Sequence, residues 1–373
     1  MVQHIVLLKW KPSVSAQQQA HIAEELLALP KRIPGITGYS AGAQCSAENL
    51  GKGFHFGFVM TFKDIQARVR SANVYFGSAP LLEALRGGAH IVISGRVADP
   101  SLVLAPLMHE FNWAADAWNL LASGTIAGHI IECGPQCSGG NSSFDWECIP
   151  QLSDVGYPIV EAESDGTFVV TKHDGTGGRV SIETIKEQLV YEIGDPGKYI
   201  SPDVIADFTS IRLESAGENR VRVSPAKGKP RPEMLKTSVS YFDGYMSAGT
   251  LVYSWPQAYE KAIAAGEIVR RRLADAGVHL ERIHTEIIGV DACHGMLAAG
   301  EHANIAEVTL RIAVQDRNRA AVERFTREMA PLVLSGPPSA TAYSGGKGDI
   351  KEVFAYWPAL IRRTAVQPLV TFV

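Results

Sequence analysis

The chain is short of cysteine, of excess charge of either sign and of long apolar runs, and each shortage removes a class of protein. Five cysteines in 373 residues are too few, and odd in number, for a disulfide framework, so reduced thiols are expected. The formal net charge is -4 and no dense Lys/Arg run or basic amphipathic helix offsets it. That removes the electrostatic footprint of a nucleic-acid binder and leaves a small molecule or another protein as partner. No apolar stretch approaches the roughly 20 residues that span a bilayer. The first ten residues, ending in Lys9 and Trp10, are interrupted by charge before a signal-peptide core could form. A cytoplasmic protein is expected, and the 46% hydrophobic content is that of an ordinary globular chain with one large α/β domain or two domains.

Periodicity then organises the chain. Residues 3–10 alternate as a strand, and Ala20, Ile22, Ala23, Leu26, Leu27 and Leu29 share a face of a helix over 16–29 that Pro30 and Pro34 stop. Strands near 36–44 and 54–62 complete a β-α-β-β order, three quarters of a ferredoxin-like unit. From about residue 71 helices and strands alternate. Ser78 to Leu85 reads as a helix stopped by Gly87 and Gly88, and Ala89 to Ser94 as a short buried strand of a parallel sheet. Arg96 to Pro100 then turns the chain into a helix over 101–111. A strand at Thr167–Thr171, a helix over 182–193, a β-rich stretch over 199–255 with a loop from Ser224 to Glu233, and a helix over 256–276 follow. Strands at 282–290 and 305–315, a helix at 317–330 and a glycine- and proline-rich ligand-covering loop at 335–348 complete the reading. The expected fold is therefore α/β: a ferredoxin-like segment over 1–70, then a larger α/β body with a mixed sheet over 71–373.

Reactive side chains gather where an apolar helix gives way to glycine, from Gly124 to Asn141. His129, Glu132 and Cys133 are the first candidates for catalysis, because i and i+3 residues share a helix face and Glu132 can orient His129. Gly139, Gly140 and Asn141 follow as ligand-binding candidates. The competing account is a helix end closed by Gly134 and Pro135 over a core histidine and structural cysteines. His129, Cys133 and Cys137 have ligand types that zinc accepts, in a spacing that permits a metal without diagnosing one, so no metal is assigned. Asp291, Cys293 and His294 form a second small cluster.

A second glycine run joins strand to helix at Lys172–Arg179. His173 and Asp174 are candidate acid/base groups, while Gly175, Gly177, Gly178 and Arg179 offer a cradle for a phosphate or carboxylate at a helix N-terminus. It is neither a Walker motif nor a dinucleotide fingerprint. Lys227, Lys229 and Arg231, between prolines, form a basic loop able to hold phosphates or a carboxylate. Arg96 and Asp99 sit in a turn where α/β proteins bind ligands, or else form an ion pair.

From Asn73 onward the sequence resembles the acyclic terpene utilisation family of the AtuA type. The motifs are Asn73-Val74-Tyr75-Phe76-Gly77, Ser94-Gly95-Arg96-Val97-Ala98-Asp99, His109-Glu110-Phe111-Asn112-Trp113, the glycine run from Gly128 to Gly140, and Ser335-Gly336-Pro337-Pro338. The first 62 residues resemble a different family, the stress-responsive A/B barrel (Dabb) domain, through His4 to Trp10, Ile33-Pro34-Gly35-Ile36 and the Phe54–Phe62 strand. Lys63 to Tyr75 lacks the histidines of cyclising Dabb members, so cyclase chemistry is not implied. The longer α/β segment with which terpene-utilisation proteins usually begin is not recognised before Asn73.

The first resemblance implies a catabolic protein acting on a branched acyl-CoA or carboxylate intermediate by proton transfer: hydration, dehydration or isomerisation. Coenzyme A is then part of the substrate and no separate cofactor is required. The alternatives are a non-catalytic ligand-binding or assembly subunit and a metal-assisted lyase or hydrolase. The second resemblance, with its open sheet edge, implies that residues 1–65 either pack on the α/β body or drive a homodimer, the homodimer being preferred.

Overall fold

A computed structural model of the chain describes residues 2–8, 15–27, 36–43, 56–62, 69–298, 300, 302, 304–341 and 348–372. The expected helix stop at Pro30 and Pro34 and residues 342–347 of the expected covering loop lie outside them. At the start of the chain, β1 (Val2–Leu8), α1 (Ala16–Leu27), β2 (Ile36–Ala43) and β3 (Phe56–Phe62) run in the order β-α-β-β. β3 pairs antiparallel with both of the other strands. β4 (Val69–Val74) follows. The described residues form two compact units, one within 2–8, 16–71 and 239–357, the other of Ser15 with 72–238 and 358–372.

The second unit is built around one helix. After α2 (Ala79–Arg86) and α3 (Ser101–Glu110) comes α4 (Trp118–Ile131), in which every residue from Leu121 to Ile130 is buried. A helix apolar all round belongs inside a core, and small residues let its neighbour approach: a β-carbon on Gly128 would lie 2.6 Å from the α-carbon of Pro100. Leu104, Ile126, Ile130, Ile185, Val170 and Val223 fill the core around it. A tight 3-10 turn over Gly134–Ser138 leads on to β5 (Pro158–Ala162) and β6 (Phe168–Lys172). α5 (Ile182–Val190) begins in a capping box, with Thr184 N donating to Ser181 Oγ and Ser181 N to Thr184 Oγ1. β7 (Tyr199–Ile200), β8 (Ile205–Asp207), β9 (Leu213–Ser215), β10 (Val221–Val223) and β11 (Lys227–Lys229) complete two antiparallel sheets, ordered β5-β6-β10-β9 and β11-β8-β7.

The other unit takes its core from most of β12 (Met234–Ser254) with α6 (Ala258–Asp275), β13 (Arg282–Ile288), β14 (Glu307–Asp316), α7 (Arg319–Phe325) and α8 (Leu332–Ser335); β15 (Ala340–Thr341) and β16 (Lys351–Arg362) follow in the chain. Strict alternation along β14 buries Val308, Leu310, Ile312 and Val314 against the Ala262, Ala265 and Val269 face of α6. The fold is thus mixed α/β with several antiparallel sheets.

Three sequence expectations need correction. Ala89 to Ser94 is not a buried strand: Ile91 is 83% and Ile93 94% exposed, and the stretch forms no ladder. An apolar run becomes a strand only where a neighbour takes its N–H and C=O groups. Here the chain is first paired at Val97, which bridges Phe76. The expected loop over Ser224–Glu233 contains a strand, β11, paired with β8. The helix expected to reach residue 330 ends at Phe325, followed by turns.

Candidate functional site

The unit formed by residues 72–238 and 358–372 contains a cavity of about 380 Å3 lined by Ser78, Ala79, Leu82, Glu83, Arg86, Met108, Ala115, Leu121, Asp203 and Arg231. Ser78, Leu82, Met108, Leu121 and Asp203 are buried, whereas Glu83, Arg86, Ala115 and Arg231 are exposed. The interior is therefore mostly apolar around one carboxylate, and the rim is charged.

Asp203 is held by the beginnings of two helices. Its Oδ1 accepts from Ser78 N and Ser78 Oγ, both at 2.9 Å, and its Oδ2 from Ser78 N at 3.0 Å and Ser101 Oγ at 2.7 Å. Ser78 precedes α2 and Ser101 opens α3, where backbone N–H groups lack helical partners and the helix dipole favours negative charge. Nothing in the sequence read as a site pointed to Asp203. Its nearest signal was the pair of motifs that place Gly77 before α2 and Ser101 after Pro100.

Of the residues singled out from the sequence, Arg231 lines this cavity. Lys227 and Lys229 lie on β11 with their side chains exposed. Arg96 and Asp99 are exposed and do not pair with each other; the Arg96 guanidinium lies 5.4 Å from the Tyr75 ring, which Lys236 approaches at 5.3 Å. Such placements are cation–π contacts.

His129 is 2% exposed and belongs to a packed group. Its Nε2 lies 2.9 Å from the carbonyl of Gln188, whose side-chain amide donates back to the His129 carbonyl at 2.9 Å. Phe208 meets the ring edge-on at 5.1 Å and Tyr199 lies at 5.7 Å. Nδ1 is 3.1 Å from Glu132 Oε1 but off the line of a hydrogen bond. Burial pushes the Tyr199 hydroxyl up to about 12, with the charges of Glu132 and Asp99 adding to the effect. Burial likewise raises the Cys137 thiol to about 12, so it stays protonated, while Cys133 is partly exposed. Among the described residues no His, Cys, Asp and Glu side chains converge as a metal site, and the four described cysteines are free. Asp291 Oδ1 accepts from Ile287 N at 2.6 Å, and Cys293 and His294 are exposed.

The structure brings the two glycine runs together. Arg179 N donates to the Ser138 carbonyl at 2.8 Å, and a β-carbon on Gly178 would lie 2.6 Å from that oxygen. Two further amides of the second run are also committed, Gly177 N to Asp154 O and Gly178 N to Pro150 O. Gly139 and Asn141 turn in the left-handed region, and Gly140 N donates to Pro135 O. A β-carbon on Gly175 would meet nothing within 4 Å. Lys172 Nζ donates to Thr176 O, and the exposed His173 and Asp174 form the tip of the loop.

The cavity of this mixed α/β unit is thus largely apolar inside and charged at its rim. The chain belongs to the acyclic terpene utilisation family, AtuA: the family model matches residues 10–372. The match begins well before Asn73 and takes in much of the N-terminal segment. No curated protein matches the chain. Among the described residues no helix is long and apolar enough to cross a membrane.

Proposed function

We propose that the protein binds a branched acyclic isoprenoid intermediate, as the carboxylate or its coenzyme A thioester, in the cavity between α2, α3 and Asp203. The observation that carries this reading is the division of the lining. Leu82, Met108 and Leu121 suit a branched hydrocarbon, and Arg86 and Arg231 at the rim suit an acidic head group. Membership of the acyclic terpene utilisation family supplies the class of hydrocarbon. Proton transfer to or from the chain, the step shared by hydration, dehydration and double-bond isomerisation, falls to Glu83, since both oxygens of Asp203 are already committed to Ser78 and Ser101. Neither His129 nor His173 lines the cavity, so a base role for either needs a second ligand position.

Ala115→Trp tests the reading, because it places a large side chain at the exposed rim without entering the core. Dimethyloctanoic acid or its coenzyme A thioester should raise the melting temperature of the native protein and leave the variant unmoved. Equal stabilisation of both proteins sinks the assignment of this cavity.

A further inference from the structure

Arg363, near the end of the chain, ties together two turns that line the cavity. Its Nη2 donates to the carbonyl of Pro202, and both Nη2 and Nε lie 3.4 Å from the carbonyl of Pro232. Its own N–H donates to Glu233 O at 2.9 Å. Pro202 precedes Asp203 and Pro232 follows Arg231, so one guanidinium grips the backbone beside both charged groups.

The cavity and its surroundings hold three guanidiniums, Arg86, Arg231 and Arg363, against two carboxylates, Glu83 and Asp203. Burial holds the Arg363 guanidinium below its ordinary value and the nearby Arg231 charge lowers it further, with Asp203 acting the other way. Among the described residues neither Arg231 nor Arg86 forms an ion pair. Asp203, already an acceptor for Ser78 and Ser101, is the one carboxylate in the interior lining.

We propose that the cavity recognises the ionised carboxylate of an acyclic isoprenoid acid, with Arg231 binding it and Arg363 acting as the positioning residue that holds Arg231 and Asp203 at a fixed separation. This rests on the cavity being the isoprenoid site. A carboxylate relieves the repulsion between the two guanidiniums and is matched by Arg in geometry. An alcohol or aldehyde of the same skeleton relieves nothing. A phosphate of coenzyme A is the other possible anion, and the test separates it.

The test is calorimetric titration of the full chain with dimethyloctanoic acid, dimethyloctanol, dimethyloctanoyl-coenzyme A and free coenzyme A. The acid should bind at least about tenfold tighter than the alcohol, the scale of one charge-assisted hydrogen bond. Arg231→Gln, on the exposed rim, and Arg363→Met should bring the acid down to the affinity of the alcohol while leaving the alcohol unchanged. Arg363→Lys should recover part of the difference. A role confined to stability would not move the acid-to-alcohol ratio.

Equal affinities for acid and alcohol overturn the anion recognition, and an unchanged ratio in both Arg363 variants overturns the positioning role. Thioester binding that free coenzyme A competes away, with no binding of the acid, assigns the anion to phosphate and overturns the proposal. Absence of binding by all four compounds refutes the isoprenoid cavity itself, a result distinct from the others.

Discussion

A β-carbon on Gly77 would lie 2.2 Å from Oδ1 of Asp203, so the carboxylate occupies space that only glycine leaves open. This contact joins the start of α2 to the turn before β8.

Gly77→Ala should therefore push Asp203 off its Ser78 and Ser101 donors and cost about 1–3 kcal/mol in urea unfolding, the range of overpacked sites. Gly95→Ala, with nothing near the added carbon, is the control and should stay within about 0.5 kcal/mol. Equal losses at the two positions would show that the Gly77–Asp203 contact is not tight.

Alkaline pH should destabilise the protein through Cys137 and Tyr199. Both groups are raised to about 12 when folded, from ordinary values of 9.0 and 10.0. Between those limits the unfolded chain loses the protons and the folded one keeps them, so stability falls as pH rises. Unfolding curves from pH 9 to 12 check the sign, and Cys137→Ala should flatten the first part of the slope. Iodoacetamide should label Cys148 and Cys293 in the native protein and reach Cys137 only after unfolding.

His129→Gln should cost about 1–3 kcal/mol, because it removes the ring hydrogen bond to the Gln188 carbonyl and the edge contact with Phe208, while the bond from the Gln188 amide to the residue 129 carbonyl stays. Binding of dimethyloctanoate per folded molecule should be unaffected, as His129 is outside the cavity lining. Lost binding with intact stability would place the ring in the site after all.

Replacing Ile91 and Ile93 together by Thr should change stability by no more than about 0.5 kcal/mol per site, since both are exposed. If they lay in a sheet core, several kcal/mol would be lost. Thermal melts distinguish the two.

The elements that could be read early are those whose pattern is local. The apolar stretch around Ile126 is long enough to be a helix wherever it packs, Ser181 and Thr184 cap α5 within four residues, and the alternation along β14 needs no knowledge of its neighbours. Ala89–Ser94 was misread because strand formation depends on a pairing partner, which six residues cannot specify. The same limit hid β11, whose Lys-Gly-Lys sequence becomes a strand only beside β8.

The sequence by itself determined the mixed α/β class, the absence of excess charge, the family resemblance over the larger part of the chain and the places of its main helices. Tertiary structure alone decided which helix beginnings face a common point. Asp203 is 125 residues from Ser78 and 102 from Ser101, and Arg363 is 161 from Pro202. Periodicity and capping report on neighbours within a few residues, whereas a cavity is made by side chains that only the folded core brings together.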